Sequence, residues 1–369
     1  MQRKLKVSKQ EIISIVSTKY STKMALFYVP QCKPLSSMPN VVLNTLGETV
    51  NEFLKHYVAS KEQLLNHGYP MKSSGFNIDA QEFIPRSFKS YNSLDSAENS
   101  DVESSSGNES CISNSSIKRY CVRCYKKYYV DGTTGEYLEN EPCSYHFGKF
   151  RDGQWTCCLT GFKNFEGCER ASNHVWCGQK DQTQNNYTCT KVRSKNQKIK
   201  GINAYTLDCE MIYTIKGLEL SKVTVLDLYG CVVYESHVVP ESRIIDYNTR
   251  FSGITAKNLC GVRTTLKDVQ HDLLKLIYAD TVLIGHGLEN DLKALKISHF
   301  NVIDTAILYP HHHGFPYRYG LKFLAKNYLN LDIQVGTHDS SEDAKTAGDL
   351  VIYKLAQEFL RKTHYIMIT

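Results

Sequence analysis

A strand with two carboxylates on one face constrains this chain more than any other stretch. In Tyr205-Thr-Leu-Asp208-Cys-Glu210-Met211 the side chains alternate with a period of two. Tyr205, Leu207, Cys209 and Met211 take one face; Thr206, Asp208 and Glu210 take the other. The apolar face needs a core, so the strand reads as central in a sheet. Neighbouring carboxylates on a covered face repel and lose hydration. A divalent cation removes both objections, and a solvated strand face is the plain alternative.

The same anomaly recurs downstream. Residues 281–285 read as a short apolar strand. The next segment reads as a helix whose buried stripe is Leu288, Leu292 and Leu295. Asp291 lies three residues after Leu288 and four before Leu295, so it points the same way. A buried helix face keeps an aspartate where charge meets it; a capping role is the alternative. Further on, Ser340 or Ser341 caps a helix with Ala347, Val351 and Leu355 inward. Asp343 precedes Ala347 by four and faces inward too, with His338 just outside the helix. In the bland reading, Glu342 and Asp343 only favour the helix dipole. Together, Asp208, Glu210, Asp291 and Asp343 come from one strand and two helices. Four carboxylates suit two divalent cations roughly 3.5–4 Å apart, the geometry of two-metal phosphoryl chemistry. Magnesium or manganese fits all-oxygen ligands, whereas zinc would recruit the histidine.

The 369 residues suffice for two or three domains. Residues 1–75 read as a helical N-terminal segment: Val50, Phe53, Leu54 and Tyr57 have helical spacing over 45–58, and Ser60 to Gln63 has capping-box spacing. Gly68 and Pro70 end that helix. Residues 76–119 are a Ser-, Asn- and acid-rich linker, expected to be disordered. Residues 120–180 form a Cys/His-rich module, and 181–200 a second, basic linker. That basic run suits a phosphate backbone or a nuclear address, although most such runs are only solvated. Residues 201–369 carry a dense α/β pattern: further strands at 218–228, 231–239 and 302–305, and helices at 266–278 and 321–328. His311, His312 and His313 sit with Gly314 and Pro316 in a loop and read as solvated rather than metal-binding.

Thirteen cysteines cluster instead of spreading, which favours metal-binding thiols over disulfides. Cys121-x2-Cys124 followed by Cys143-x2-His146 suits one tetrahedral zinc. Cys157, Cys158, Cys168, His174 and Cys177 are available for a second. Adjacent cysteines do not comfortably share one ion, so the two groups can interleave, and the pairing stays open. The order resembles the CHORD-type zinc module. Composition is 41% hydrophobic and 22% charged, and no apolar run approaches membrane-spanning length. The basic start Met1-Gln-Arg-Lys-Leu-Lys is followed by no apolar stretch, so neither a secretory signal nor a membrane partner is expected. The net charge of +6 leans towards a polyanion.

Asp-x-Glu, then Gly-His-x-Leu-x2-Asp, then His-x4-Asp resembles the DEDDh 3′→5′ exonucleases of the ribonuclease H-like fold. Closer still, Leu207-Asp-Cys-Glu-Met211, Asp246-Tyr-Asn-Thr-Arg-Phe-Ser-Gly-Ile-Thr255, Ile284-Gly-His286 and Ser341-Glu-Asp-Ala344 resemble the RNA exonuclease 1 (Rexo/GOR) family. The Cys/His module and Glu62-Gln-Leu-x3-Gly68-Tyr-Pro70 resemble its members too. This resemblance implies a mixed sheet flanked by helices, preceded by a zinc-bound module and a short helical segment. It implies hydrolysis of RNA from single-stranded 3′ ends to nucleoside 5′-monophosphates, using two Mg2+ or Mn2+ ions on Asp208, Glu210, Asp291 and Asp343. His338 would be the base, and Glu210, Met211, Phe251 and His286 would contact substrate. One or two structural Zn2+ ions, a protein partner on the N-terminal segment or module, a nuclear or nucleolar address and a role in nuclear RNA 3′-end processing are the further expectations. A DNA exonuclease of the same fold, and a zinc-dependent adaptor with an inactive nuclease-like domain, are the competing readings.

Overall fold

Ala204–Thr214 (β1) is the middle of a six-stranded mixed sheet. The computed structural model describes residues 38–70, 116–161, 167–178, 187–336 and 338–368. The other strands are β2 (Gly217–Asp227), β3 (Val232–His237), β4 (Ile244–Asp246), β5 (Val282–Gly285) and β6 (Val302–Asp304). Their order is β3-β2-β1-β5-β6, with β4 pairing on β1. β2 and β3 make an antiparallel meander beside β1, joined through Tyr229-Gly230. β5 and β6 run parallel, with Ile284 opposite Thr206 and Ile303. β5 is buried along its whole length, as a parallel strand covered on both faces must be.

Helices cover both faces. The N-terminal helices are α1 (Met38–Leu46), α2 (Val50–Leu54) and α3 (Lys61–Asn66); then come α4 (Leu266–Leu276), α5 (Leu288–Leu295) and α6 (Ser340–Ile368). Leu207, Cys209, Val223 and Val225 pack against Val269 and Leu273 of α4 and Leu292 of α5. Ala204, Ile284 and Ile303 pack on the other side against Val351 and Leu355 of α6. Leu43, Val50 and Leu54 join that second core, whereas Leu64 joins the first. Full burial of a leucine is worth about 1.5–3 kcal/mol, so residues 38–70 belong to the domain's own core. The single helix expected over 45–58 is broken, because Gly47 takes a left-handed φ of 55° and a 3-10 turn follows. The capping box holds: Ser60 Oγ accepts from Gln63 N at 3.1 Å, and Ser60 N donates to Gln63 Oε1 at 2.9 Å.

The Cys/His module is three short antiparallel pairs. Ser116–Tyr120 pairs with Lys127–Asp131, Cys143–Tyr145 with Glu169–Ala171, and Phe150–Arg151 with Gln154–Trp155. Residues 116–119, assigned to the linker from composition, are therefore strand; the rest of that expected linker lies outside the described residues. The module's apolar core takes in Tyr213 of β1 and Ile245 of β4. Arg119 Nη1 and Trp176 Nε1 both donate to Ile215 O, at 2.9 and 3.3 Å. The described part of the second linker is docked as well. Thr188–Cys189 pairs with Ile297–Ser298, and Arg193 meets Asp280 while lying 4.2 Å over the Tyr278 ring. Composition gave no sign of these long-range partners.

Candidate active site

Two local features open a cleft at one end of β1. Pairing with β5 stops at Thr206, so the next stretch of β1 has a free edge there. Asp291 Oδ1 fills part of it, accepting from Cys209 N at 2.9 Å. Asp291 is in the first turn of α5, which starts close to the strand end because Gly285 has no side chain. A Cβ there would lie 2.6 Å from Leu288 Cδ2 and 2.8 Å from Leu207 O. On the other face, Gly348 lets α6 sit directly on β1; a Cβ would come within 2.7 Å of Thr206 Cγ2. That approach brings Asp343, in the first turn of α6, over the Asp208 and Glu210 face. Ser340 fixes the start of α6 through its hydroxyl, 2.7 Å from Thr224 Oγ1.

The cleft encloses ≈ 220 Å³, and its walls include Asp208, Glu210, Met211, Phe251, His338 and Asp343. Met211 departs from the expected alternation. The β1–β2 register shifts between Glu210 and Met211, with the extra residue, Ser221, on β2, and Met211 lines the cleft instead of joining the core. Ile212 then takes the buried position. Asp291 is buried beside the cleft. His338 Nδ1 is 3.4 Å from Asp343 Oδ2, and the Phe251 ring lies 6.3 Å from the His338 ring. His286 is not among the cleft-lining side chains; its Nδ1 lies 2.9 Å from Thr305 Oγ1.

The electrostatics are those of crowded anions. Burial, then Asp291, Glu210 and Asp343, hold the Asp208 carboxyl well above the ordinary range. Burial, then Glu289, pushes Asp291 up to about 8, against the bond from Cys209 N. Glu210 is pushed up to about 7, again first by burial, with His338 opposing. The hydrogen bond to Asp343 raises His338, more than burial lowers it. Glu210 Oε1 is buried with no hydrogen-bond partner. An unpartnered buried carboxylate oxygen among mutually repelling acids fits a divalent cation.

Sequence reasoning missed three groups that shape this site. Gln334 Nε2 donates to both Asp343 oxygens, at 3.2 and 2.9 Å, from a loop residue with φ 54°. Asp304 ends β6 and is 1% exposed; its Oδ1 accepts from Gly287 N at 2.9 Å and Ala306 N at 2.8 Å. Tyr69 donates to Asp304 Oδ2 at 2.6 Å. The acid at the end of β6 was a visible signal for Asp304 and the Gly68-Tyr-Pro70 motif one for Tyr69, while Gln334 carried none.

The cysteines converge in two groups: Cys121, Cys124, Cys143 and His174; and His146, Cys157, Cys158 and Cys168. This regroups the expected sets by exchanging the two histidines. Cys143 lies in a strand that ends at Tyr145, and His146, past that end, meets the other group. His174 takes the vacated place, with Nδ1 3.2 Å from Cys124 Sγ. His146 stacks on Trp155 at 4.2 Å, beside the turn carrying Cys157 and Cys158. Those neighbours do share one group, each Sγ 3.5 Å from His146 Nδ1, because the chain reverses there through Leu159 at φ 57°. Cys177 lies outside both groups. A tetrahedral ion with Zn–S bonds of about 2.3 Å sets ligand atoms about 3.7 Å apart. Cys121 and Cys143 sulfurs are 3.6 Å apart, and Cys157 and Cys168 sulfurs 3.5 Å.

Residues 144–173 match the BTK motif family, a stretch containing all four members of the second group. Exonuclease GOR of Pan troglodytes is 38% identical over 332 residues, covering 87% of this chain and 44% of the relative. RNA exonuclease 1 homolog of Homo sapiens is 37% identical over 327 residues, covering 85% and 24%. RNA exonuclease 3 of Schizosaccharomyces pombe is 38% identical over 222 residues, covering 58% and 41%. The chain thus spans less than half the length of these relatives. Among solved structures, the Pan2 catalytic unit (protease and nuclease domain) of Neurospora crassa is 26% identical, covering 50% of this chain and 31% of that one, with a TM-score of 0.39.

Proposed function

We propose that this chain, which shares the RNA exonuclease 1/GOR sequence over most of its length, is a metal-dependent 3′→5′ exoribonuclease of ribonuclease H-like fold. It releases nucleoside 5′-monophosphates. One observation carries the reading: Asp208, Glu210, Asp343 and His338 share one cleft beside buried Asp291, and a Glu210 oxygen there is buried without a partner.

Asp208, Glu210, Asp291 and Asp343 would hold two Mg2+ or Mn2+ ions. When bound, these supply the Lewis acidity that activates water and neutralises the leaving 3′-oxygen. His338 accepts the proton of the attacking water at its free ring nitrogen, while Nδ1 faces Asp343. Asp343 thereby orients the imidazole, and Gln334 orients Asp343 in turn. Met211 and Phe251 form the wall that receives the terminal nucleotide; Phe251, 42% exposed, has a face free for a base to stack on. Each Cys/His group would hold one structural Zn2+. The substrate is single-stranded RNA 3′ ends, the setting nuclear RNA 3′-end processing in the nucleus or nucleolus, and a protein partner docks on the N-terminal segment or module. Among the described residues, no helix is long and apolar enough to cross a membrane.

The test is incubation of the chain, beside its Asp208→Asn form, with 5′-labelled RNA and matched DNA in magnesium. Shortening of RNA from the 3′ end, absent in the variant and abolished by chelator, is expected. Faster shortening of DNA overturns the substrate. No cleavage of either by zinc-loaded protein overturns the nuclease reading in favour of an adaptor.

A further inference from the structure

Resting on that nuclease reading, we propose that the two Cys/His groups clamp the 246–252 segment forming one wall of the catalytic cleft. The metal-bound module would then set how firmly the terminal nucleotide is held. Asn248, Phe251 and Ser252 of this segment line the cleft. The sheet gives them little support, since β4 pairs irregularly with β1 and ends at Asp246. Within the segment, Asp246 Oδ1 accepts from Asn248 N at 2.6 Å, and Ser252 Oγ donates to Tyr247 O at 2.8 Å. Asn248 takes a left-handed φ of 54°, a conformation asparagine reaches more readily than other non-glycine residues.

The outside contacts of this segment include several from the module. Arg123 Nη1 donates to Asp246 Oδ2 at 2.5 Å, and Nη2 reaches Asn248 Oδ1 at 3.4 Å. The Arg123 side chain is 10% exposed, its guanidinium 4.9 Å from the Tyr145 ring and 5.0 Å from the Tyr213 ring. From the other side, Arg250 pairs with Glu169 and lies 3.8 Å over the Phe147 ring. Each anchor stands next to, or between, the residues of a Cys/His group. Arg123 lies between Cys121 and Cys124, Phe147 follows His146, and Glu169 follows Cys168. Both groups thus hold the segment, one at each end. The apolar core around the module is small, and metal held by the two Cys/His groups would add rigidity at these anchors. Arg123, Glu169 and Arg250 are positioning residues. They touch neither the acids nor His338, so their loss weakens nucleotide binding more than the chemical step.

The test uses the full chain with Arg123→Met, Arg123→Lys, Glu169→Gln and Arg250→Gln, with metal content measured for each. Two readouts are taken: amide hydrogen exchange over 246–252, and KM and kcat on short 5′-labelled RNA in magnesium. In Arg123→Met and Arg250→Gln, exchange in the segment quickens by about tenfold while β1 stays protected. KM rises by about tenfold with kcat within about twofold, and Arg123→Lys recovers part of the loss. Unchanged exchange and KM in metal-replete variants overturn the clamp. Should Arg123→Met lose its metal, the Glu169 and Arg250 variants decide. Should the wild type fail to cut RNA, the nuclease reading falls, and hydrogen exchange alone still decides whether the module holds the segment.

Discussion

Tyr69 and Asp304 are joined by a 2.6 Å hydrogen bond across 235 residues of sequence. Both are buried, at 5% and 1% exposure. Burial and the Asp304 charge hold the Tyr69 phenol protonated, so it donates. The other Asp304 oxygen takes Gly287 N, immediately before the helix that carries Asp291. The N-terminal segment is thereby tied to the base of the catalytic cleft. Tyr69→Phe leaves a buried carboxylate oxygen one donor short, a cost of about 1–3 kcal/mol. A lower urea midpoint at unchanged slope is expected. An unchanged midpoint would show that the tie contributes nothing to stability.

The acids of the cleft trade stability for function. Burial and the charges of neighbouring acids raise the proton affinity of Asp208, Glu210 and Asp291. Asp208→Asn removes one charge at nearly constant volume. Cleavage is expected to vanish, while the metal-free protein becomes more stable by about 1–2 kcal/mol. Adding magnesium should stabilise the wild type more than the variant, since binding to the native state alone adds stability. Thermal unfolding with and without chelator reads both effects. An Asp208→Asn form less stable than wild type in chelator would contradict the repulsion.

Much of this was legible from periodicity. The period-two pattern located β1 and its meander, and the helical stripes located Asp291 and Asp343 on inward faces. The place of Met211 on the cleft was not legible, nor was the bulge at Ser221 opposite it, which belongs to the β1–β2 register. Gln334 was not legible either: its partner is brought to it by packing, and its residue type marks no site. The exchange of the two histidines was not legible: Cys121 and Cys124, also three apart, do share a group, so the Cys143–His146 spacing did not decide the matter.

That exchange makes a sharp prediction about metal content. His146→Ala should lose the ion shared with Cys157, Cys158 and Cys168 and keep the other. Cys143→Ser and His174→Ala should do the reverse. Elemental analysis of purified variants should find one zinc where the parent has two. If Cys143→Ser and His146→Ala prove to empty the same site, told apart by combining each with Cys168→Ser, the grouping is wrong.

His299 gives the fold an acid-sensitive point away from the cleft. It is 1% exposed, with Nε2 2.9 Å from Thr281 O and Nδ1 2.9 Å from Thr190 Oγ1. Burial pushes it down to about 4 from the ordinary 6.5, against the pull of the carbonyls of Thr281 and Asn301. The unfolded chain therefore binds this proton first. Stability is full above pH 6.5 and falls as the pH drops towards 4, by about 3 kcal/mol in all at about 1.4 kcal/mol per unit. Asp208, Glu210 and Asp291 have raised affinities and act in the opposite sense, so the titration belongs in saturating magnesium. His299→Gln keeps a polar group between β5 and the docked 188–190 stretch but cannot take the charge. Urea unfolding between pH 7 and pH 4 should show a shallower fall for the variant than for the wild type. Parallel curves would mean that His299 has the same proton affinity in the folded and unfolded chain, the two carbonyls offsetting burial.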